Sequence, residues 1–368
     1  MHLVLFFTRG ISLETWASVG SLEREIALYL RLKEKGVRIS FITFGGAEDI
    51  QYREQLGGIE ILCNKWNLPP LWYERLLPFL HARSLSHAHI FKTNQINGAD
   101  VALRSARLWR KPLIVRCGYM WSEFALRQGD PAQIDRAIKV ESQVFKNANR
   151  IVVTTRAMKK YVEERYLVNG NKVIAFPNYV LTDLFSPDGT QPSSNKICYI
   201  GRLHEQKNLH ALLQACEGLP VELHLIGEGG LEAALRKQAE HLDVKMVLRG
   251  NLPHHRLPEM IRQSAIFALV SHYEGHPKAL LEAMSCGAAV LVADSPGIRE
   301  QIIHGETAWL VKTDAASIRT GIQYLLDNPA LRGMLGRNAR SFIQENCALD
   351  KIVEMEYSLL GELVGDVR

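Results

Sequence analysis

The sequence is poor in cysteine: Cys63, Cys117, Cys198, Cys216, Cys286 and Cys347 are scattered, with no C-x-x-C pair and no regular spacing. This argues against a disulfide framework or a zinc ribbon and leaves small core fillers in a reducing compartment, with the cytoplasm as the expected location. Long apolar runs are also missing. The start, MHLVLFFTRG, has an apolar stretch far shorter than a membrane span and no basic region before it. It reads as a buried strand, not as a signal peptide or transmembrane helix. Low-complexity tracts and internal repeats are absent, so neither a disordered nor a solenoid chain is expected.

What remains, 47% hydrophobic and 23% charged residues over 368 positions, suits a soluble globular enzyme of two domains. Charge is uneven: residues 1–180 hold 26 Lys+Arg against 16 Asp+Glu (+10), and the remainder 18 against 23 (−5). A basic half suits anionic lipid, nucleic acid or a charged substrate. The dispersed basic residues come with no recognition motif, so nucleic acid is not an expected partner. Residues 65–83, KWNLPPLWYERLLPFLHAR, mix Trp66, Trp72 and Phe79 with Lys65, Arg75 and Arg83. They read either as a segment for an anionic membrane surface or as a core helix with a wet edge, with Pro69, Pro70 and Pro78 interrupting the helix.

Apolar runs alternate with helical patterns, as in parallel sheets covered by helices. Strands are expected at 2–7, 37–44, 89–92, 113–116, 151–154 and 173–176, then at 196–200, 221–226, 245–248, 266–270 and 289–293. Residues 177–196, rich in Pro, Ser, Asp and Gly, read as an interdomain linker. The expected division is an N-terminal domain (1–176), this linker, a C-terminal domain (197–345) and a helical segment (346–368) that packs back on the first domain. Two α/β domains of similar size suit a ligand cleft between them, at strand C-termini.

Function is concentrated in SHYEGHPKALLEAMSCGAAV, residues 271–290. A buried strand leads into a loop with Glu274, Gly275 and Pro277, and then into a helix carrying Glu282. A helix start leaves N–H groups unpaired and positively polarised, which suits a diphosphate. Gly275, His276, Pro277, Lys278, Ala279 and Leu280 therefore hold the sugar and phosphates, Glu274 stands at the reacting end, and Glu282 accepts from a ribose diol. In GRLHEQKN, Arg202 and Lys207 follow a strand and can clamp a diphosphate. LIGEGGLEAAL fails as a dinucleotide fingerprint, since Glu232 stands where the third glycine belongs. His272 and His276 flank Glu274 on a loop without the helical geometry of a zinc site, so no metal and no cofactor is expected.

Ser271, Glu274-Gly275, Pro277, Leu281-Glu282-Ala283-Met284, Gly287 and Val290 together resemble the E-x7-E region of family 4 retaining GT-B glycosyltransferases. G-R-L-x-x-x-K-N resembles that family's phosphate-binding element, which carries over to Arg202 and Lys207. Gly227 and Gly229 resemble its G-x-G turn. Asn251 and Leu252 fall where members hold the base, or form a plain turn. Gly20, ahead of LEREI, stands for the family's paired glycines, and RCGYMWSEF from Arg116 replaces its usual histidine region. Asn94 and Gln95 contact the acceptor or cap a helix, and Arg116 is the third acceptor-side candidate.

The resemblance implies an α/β, GT-B fold of two Rossmann-like domains facing each other across a cleft, the first (1–176) binding the acceptor and the second (197–345) the nucleotide-sugar donor. It implies metal-independent transfer of a hexose from a nucleotide-diphosphate sugar, with retention, to a glycan or lipid-linked acceptor. Surface polysaccharide synthesis at the inner membrane face is the expected setting. A nucleotide-sugar epimerase or hydrolase, and an inactive membrane-associated scaffold, are the alternatives.

Overall fold

The strands read as unbroken apolar runs because both faces of each sheet are covered: His2–Phe6 and Ser264–Leu269 are buried at every residue. The computed structural model describes residues 1–190 and 192–365. Gln191 of the expected linker and residues 366–368 of the expected C-terminal segment lie outside the described residues. The chain divides into two compact units, one of Met1–Pro177 joined by the chain from Asp350 on, the other Asn178–Leu349.

The first unit is built on a seven-stranded sheet of β1 (His2–Phe6), β2 (Arg38–Ile42), β3 (Glu60–Leu62), β4 (Ile90–Thr93), β5 (Leu113–Cys117), β6 (Arg150–Val153) and β7 (Val173–Ala175). The order is β3-β2-β1-β4-β5-β6-β7, with all pairs parallel. The second carries β8 (Ser193–Ile200), β9 (Glu222–Ile226), β10 (Met246–Leu248), β11 (Ser264–Leu269), β12 (Val290–Ala293) and β13 (Trp309–Val311). Its order is β10-β9-β8-β11-β12-β13, again all parallel. Both sheets are doubly wound, and each reverses direction beside its first strand, between β1 and β4 and between β8 and β11. A crevice for ligands opens at such a reversal, beyond the strand C-termini.

Several local features differ from the expectations. The segment 178–190 is part of the second unit: Phe185 is fully buried, and Val180 bridges Ala348. A short helix, Leu13–Ser18, separates β1 from Leu22–Glu34. It is capped by Ser12 and by Asp49, whose Oδ1 accepts from the Leu13 and Glu14 N–H groups at 2.9 and 3.2 Å. Residues 65–83 are not broken up by their prolines. Pro69 is the N-cap and Pro70 the first turn of a helix, Pro70–Leu80, that also accommodates Pro78. A proline at a helix start loses no hydrogen bond, because that N–H has no partner anyway. The strands β3 and β13 were not among those expected from the sequence. All six cysteines are buried and free. Among the described residues, no helix is long and apolar enough to cross a membrane.

Candidate active site at the β8–β11 reversal

The loops after β8 and β11 meet where the second sheet reverses. The first runs from Gly201 through a turn of 3-10 helix, Glu205–Lys207. The second ends at Pro277, which leads into the helix Lys278–Ser285. Gln206 joins them at both ends: its carbonyl accepts from His272 N–H (2.9 Å), and its side-chain amide donates to the Tyr273 carbonyl (2.7 Å). Lys207 Nζ is then 2.5 Å from Glu274 Oε1, which also accepts from Ser271 Oγ at 2.6 Å. The two side chains are only 13% and 8% exposed. Two residues 67 apart in sequence thus form an ion pair at the mouth of the crevice.

A third loop supports the second. Ser295 Oγ donates to the Ser271 carbonyl (2.8 Å), and Glu274 N–H donates to the Pro296 carbonyl (2.9 Å). Gly297 has φ +81°, and a Cβ there would lie 2.0 Å from the Glu274 carbonyl oxygen. Only glycine allows the two loops to lie backbone against backbone. His276 is buried, and its carbonyl accepts from Asn178 Nδ2 at 2.6 Å. The PNYV segment therefore buttresses the Glu274 loop. The helix Lys278–Ser285 starts with no side-chain cap and no acidic residue in its first turn. Its leading N–H groups remain positively polarised, as an anion requires.

Arg202 is exposed on the first loop, with its carbonyl accepting from Tyr199 Oη (2.9 Å). Burial, and next the Glu274 carboxylate, push the Tyr199 phenol well above its usual range, which keeps it a donor. Gly227 and Gly229 pack on this loop: a Cβ on either would lie 2.1 or 2.2 Å from the Gly201 or Leu203 carbonyl oxygen. Gly227 also bridges Gly250, which brings exposed Asn251 and half-buried Leu252 to the same rim. Glu282 lies deeper. It is 1% exposed and accepts from His254 Nε2 at 2.9 Å in an enclosed pair. Leu280 is in the core, so the start of this helix offers backbone there.

Asn94, Gln95 and Arg116 sit together in the first unit, at the C-terminal ends of β4 and β5. Arg116 donates to the Asn94 carbonyl (3.3 Å), and Gln95 Oε1 accepts from Gly118 N–H (2.8 Å). Neither Asn94 nor Gln95 caps the next helix, whose N-cap is Gly98. Gly20, with φ +70°, closes the turn before Leu22–Glu34 in the same unit. Sequence reasoning missed Gln206, His254 and Ser295–Gly297. The turn-rich run Asp294-Ser295-Pro296-Gly297 after a strand was the available signal for the last.

A cavity of about 660 Å³ opens elsewhere in the second unit, below the N-terminal ends of β11 and β12, and includes Arg262, Arg332, Arg337 and Arg340 in its wall. Arg332 donates to the Leu326 carbonyl and Arg340 to those of Ser285 and Phe185, so both satisfy backbone oxygens, two of them at the ends of helices. Burial lowers the pKa of both guanidiniums. This cavity lies at the opposite end of the sheet from the groups that suit a nucleotide.

Comparison with known proteins identifies the family and the fold. The family described as Glycosyl transferases group 1 matches residues 183–342, and Glycosyltransferase Family 4 matches residues 26–184. The chain belongs to the group 1 glycosyl transferases. An uncharacterized glycosyltransferase of Methanocaldococcus jannaschii is 26% identical over 235 residues, which is 60% of this chain and 59% of that relative. Among solved structures, sucrose-phosphate synthase from Thermosynechococcus elongatus superposes with a TM-score of 0.82 at 18% identity, covering 100% of both chains. Anabaena HepE, in complex with UDP and glucose, gives 0.80 at 15% identity, covering 98% of this chain and 100% of its own. The fold of this group 1 transferase is GT-B, with two Rossmann-like units in series.

Proposed function

We propose that this glycosyl transferase moves a hexose from a nucleoside-diphosphate sugar to a hydroxyl of a glycan or lipid-linked acceptor, with retention at the anomeric carbon, in surface polysaccharide synthesis. The observation that supports this most is the Lys207–Glu274 pair at the β8–β11 reversal, beside an uncapped helix start and exposed Arg202. A cation, a carboxylate and a helix N-terminus without a side-chain cap converge where a sugar diphosphate needs them.

In this reading Arg202 and Lys207 meet the negative charge of the departing diphosphate, and no metal or cofactor is invoked. The backbone from Gly275 to Leu280, with Lys278, His276 and Pro277, holds sugar and phosphates. Glu274 orients the sugar hydroxyls or stabilises an oxocarbenium-like centre. Glu282 is assigned to the ribose, and binding the diol there requires its enclosed pair with His254 to open. Asn251 and Leu252 face the base, and Gly20 approaches the diphosphate. Asn94, Gln95 and Arg116 take the acceptor hydroxyl and its neighbours. The anionic inner face of the membrane is where a lipid-linked acceptor would be met.

UDP bound to Anabaena HepE makes uridine diphosphate the first nucleotide to test by calorimetry, followed by GDP, ADP and their sugar conjugates. Arg202→Ala is expected to weaken nucleotide binding about tenfold. Glu274→Gln is expected to lower turnover about 10²–10³-fold, yet to leave nucleotide affinity unchanged or raised, because Lys207 is then free for the phosphates. Wild-type rates and affinities in both variants would refute the site. Turnover without any acceptor would instead establish an epimerase or hydrolase.

A further inference from the structure

The helix Pro70–Leu80 has an inner and an outer apolar face. Tyr73 and Leu77 fill the core at 1% and 0% exposure, while Leu71, Trp72, Leu76 and Phe79 on the other side are 70%, 56%, 38% and 64% exposed. At helical spacing those four fall within an arc of about 140°. Trp66, 40% exposed, precedes them on the same segment. Apolar residues on both sides of a surface helix indicate a second cover, and a cluster of this size exceeds the scattered exposure usual for a water-facing surface.

Charge selects the cover. Lys65, Arg75 and Arg83 are exposed, and Arg75 lies within the apolar arc. The sole acid of the segment, Glu74, is turned inward, 2.9 Å from Arg9 Nε. Lys65 Nζ sits 5.1 Å from the Trp66 ring centroid, and the Arg75 guanidinium 5.9 Å from that of Trp72. Cations held against indole rings beside aliphatic side chains suit the boundary between phosphate headgroups and acyl chains.

We infer that this outer face docks on an anionic lipid bilayer, with Leu71, Trp72, Leu76 and Phe79 entering the acyl boundary and Lys65, Arg75 and Arg83 meeting lipid phosphates. The inference deepens the proposed function, on which it rests for its purpose of bringing the enzyme to a lipid-linked acceptor. The contact is peripheral and reversible, since one short helix buries little area.

The test is sedimentation of the whole chain with vesicles of phosphatidylcholine alone and of phosphatidylcholine with phosphatidylglycerol, without nucleotide. Binding is expected only to the anionic vesicles and is expected to weaken as salt is raised. The triple variant Leu71→Ser, Trp72→Ser, Phe79→Ser should weaken it about a hundredfold, and Arg75→Glu about tenfold. Because these side chains are exposed, both variants should keep the wild-type thermal midpoint and nucleotide binding. Binding unchanged by the substitutions, or no binding by the wild type, would overturn the inference. So would a wild-type dimer that the triple variant dissolves, which would assign the face to a second copy. Nucleotide binding is read without vesicles, so failure here leaves the donor site standing, and failure there leaves this surface standing.

Discussion

Lys207 and Glu274 compensate each other in the free protein, so removing either one alone does two things at once. Lys207→Met takes a cation from the proposed donor site and also leaves the 8% exposed Glu274 side chain, which accepts from Ser271 Oγ, without its ammonium partner. Breaking a buried pair on one side costs about 3–5 kcal/mol, whereas removing both charges costs much less. In urea unfolding, the double variant Lys207→Met, Glu274→Gln is therefore expected to be more stable than the sum of the single effects by about 1–3 kcal/mol. Additive effects would mean that the two charges do not interact. Both residues were legible in the sequence because each stands in its own spaced motif. Their pairing was not, because it depends on β8 and β11 being neighbours in the sheet. Glu282 was also legible, but its enclosure by His254 was not, since His254 lies in a loop with no helical or strand period.

At the scale of elements, the site is three βα loops held against one another by glycine. Gly297 and Gly10 both have positive φ, +81° and +75°, but only Gly297 is crowded, and nothing lies within 4 Å of a Cβ on Gly10. Gly10→Ala should therefore cost only the backbone strain, about 1–2 kcal/mol. Gly297→Ala must add displacement of the Glu274 carbonyl, and with it the Glu274 loop. Its expected signature is a thermal midpoint lower than that of Gly10→Ala and turnover reduced about tenfold or more, although residue 297 carries no side chain to do chemistry. Equal stability and full turnover in the two variants would remove Gly297 from the site. The alternation of apolar runs and helical periods was enough to predict two parallel sheets. It did not reveal β3 and β13, nor the Leu13–Ser18 helix, half of whose cap comes from Asp49, 36 residues away from Leu13.

At the scale of the whole molecule, the chain crosses from the first unit to the second and then returns. The helix Leu349–Gly365 is tied to the first unit by Arg31–Asp350 (2.6 Å), Lys35–Glu354 (2.7 Å) and, at its centre, Lys92–Glu356 (2.5 Å). The two outer pairs are exposed and contribute little. The central one is 0% and 3% exposed and lies under β4, the strand that leads to Asn94 and Gln95. Burial lowers the pKa of Lys92, and Glu356 is what opposes that shift. Glu356→Ala leaves the ammonium buried without its carboxylate, so the first unit should lose about 3–5 kcal/mol at neutral pH. The sign of the pH dependence follows from proton binding. With its folded pKa depressed further below the unfolded value, Lys92 binds fewer protons in the folded state, so the variant should regain stability as pH rises toward the ordinary lysine range. A control variant, Lys92→Met with Glu356→Leu, removes both charges and should lack that recovery. Chemical denaturation of the three proteins from pH 7 upward separates the outcomes. A loss in Glu356→Ala that stays constant with pH would mean that the returning helix is held by its apolar contacts, Ile352, Val353, Leu359 and Leu360, and not by the buried pair.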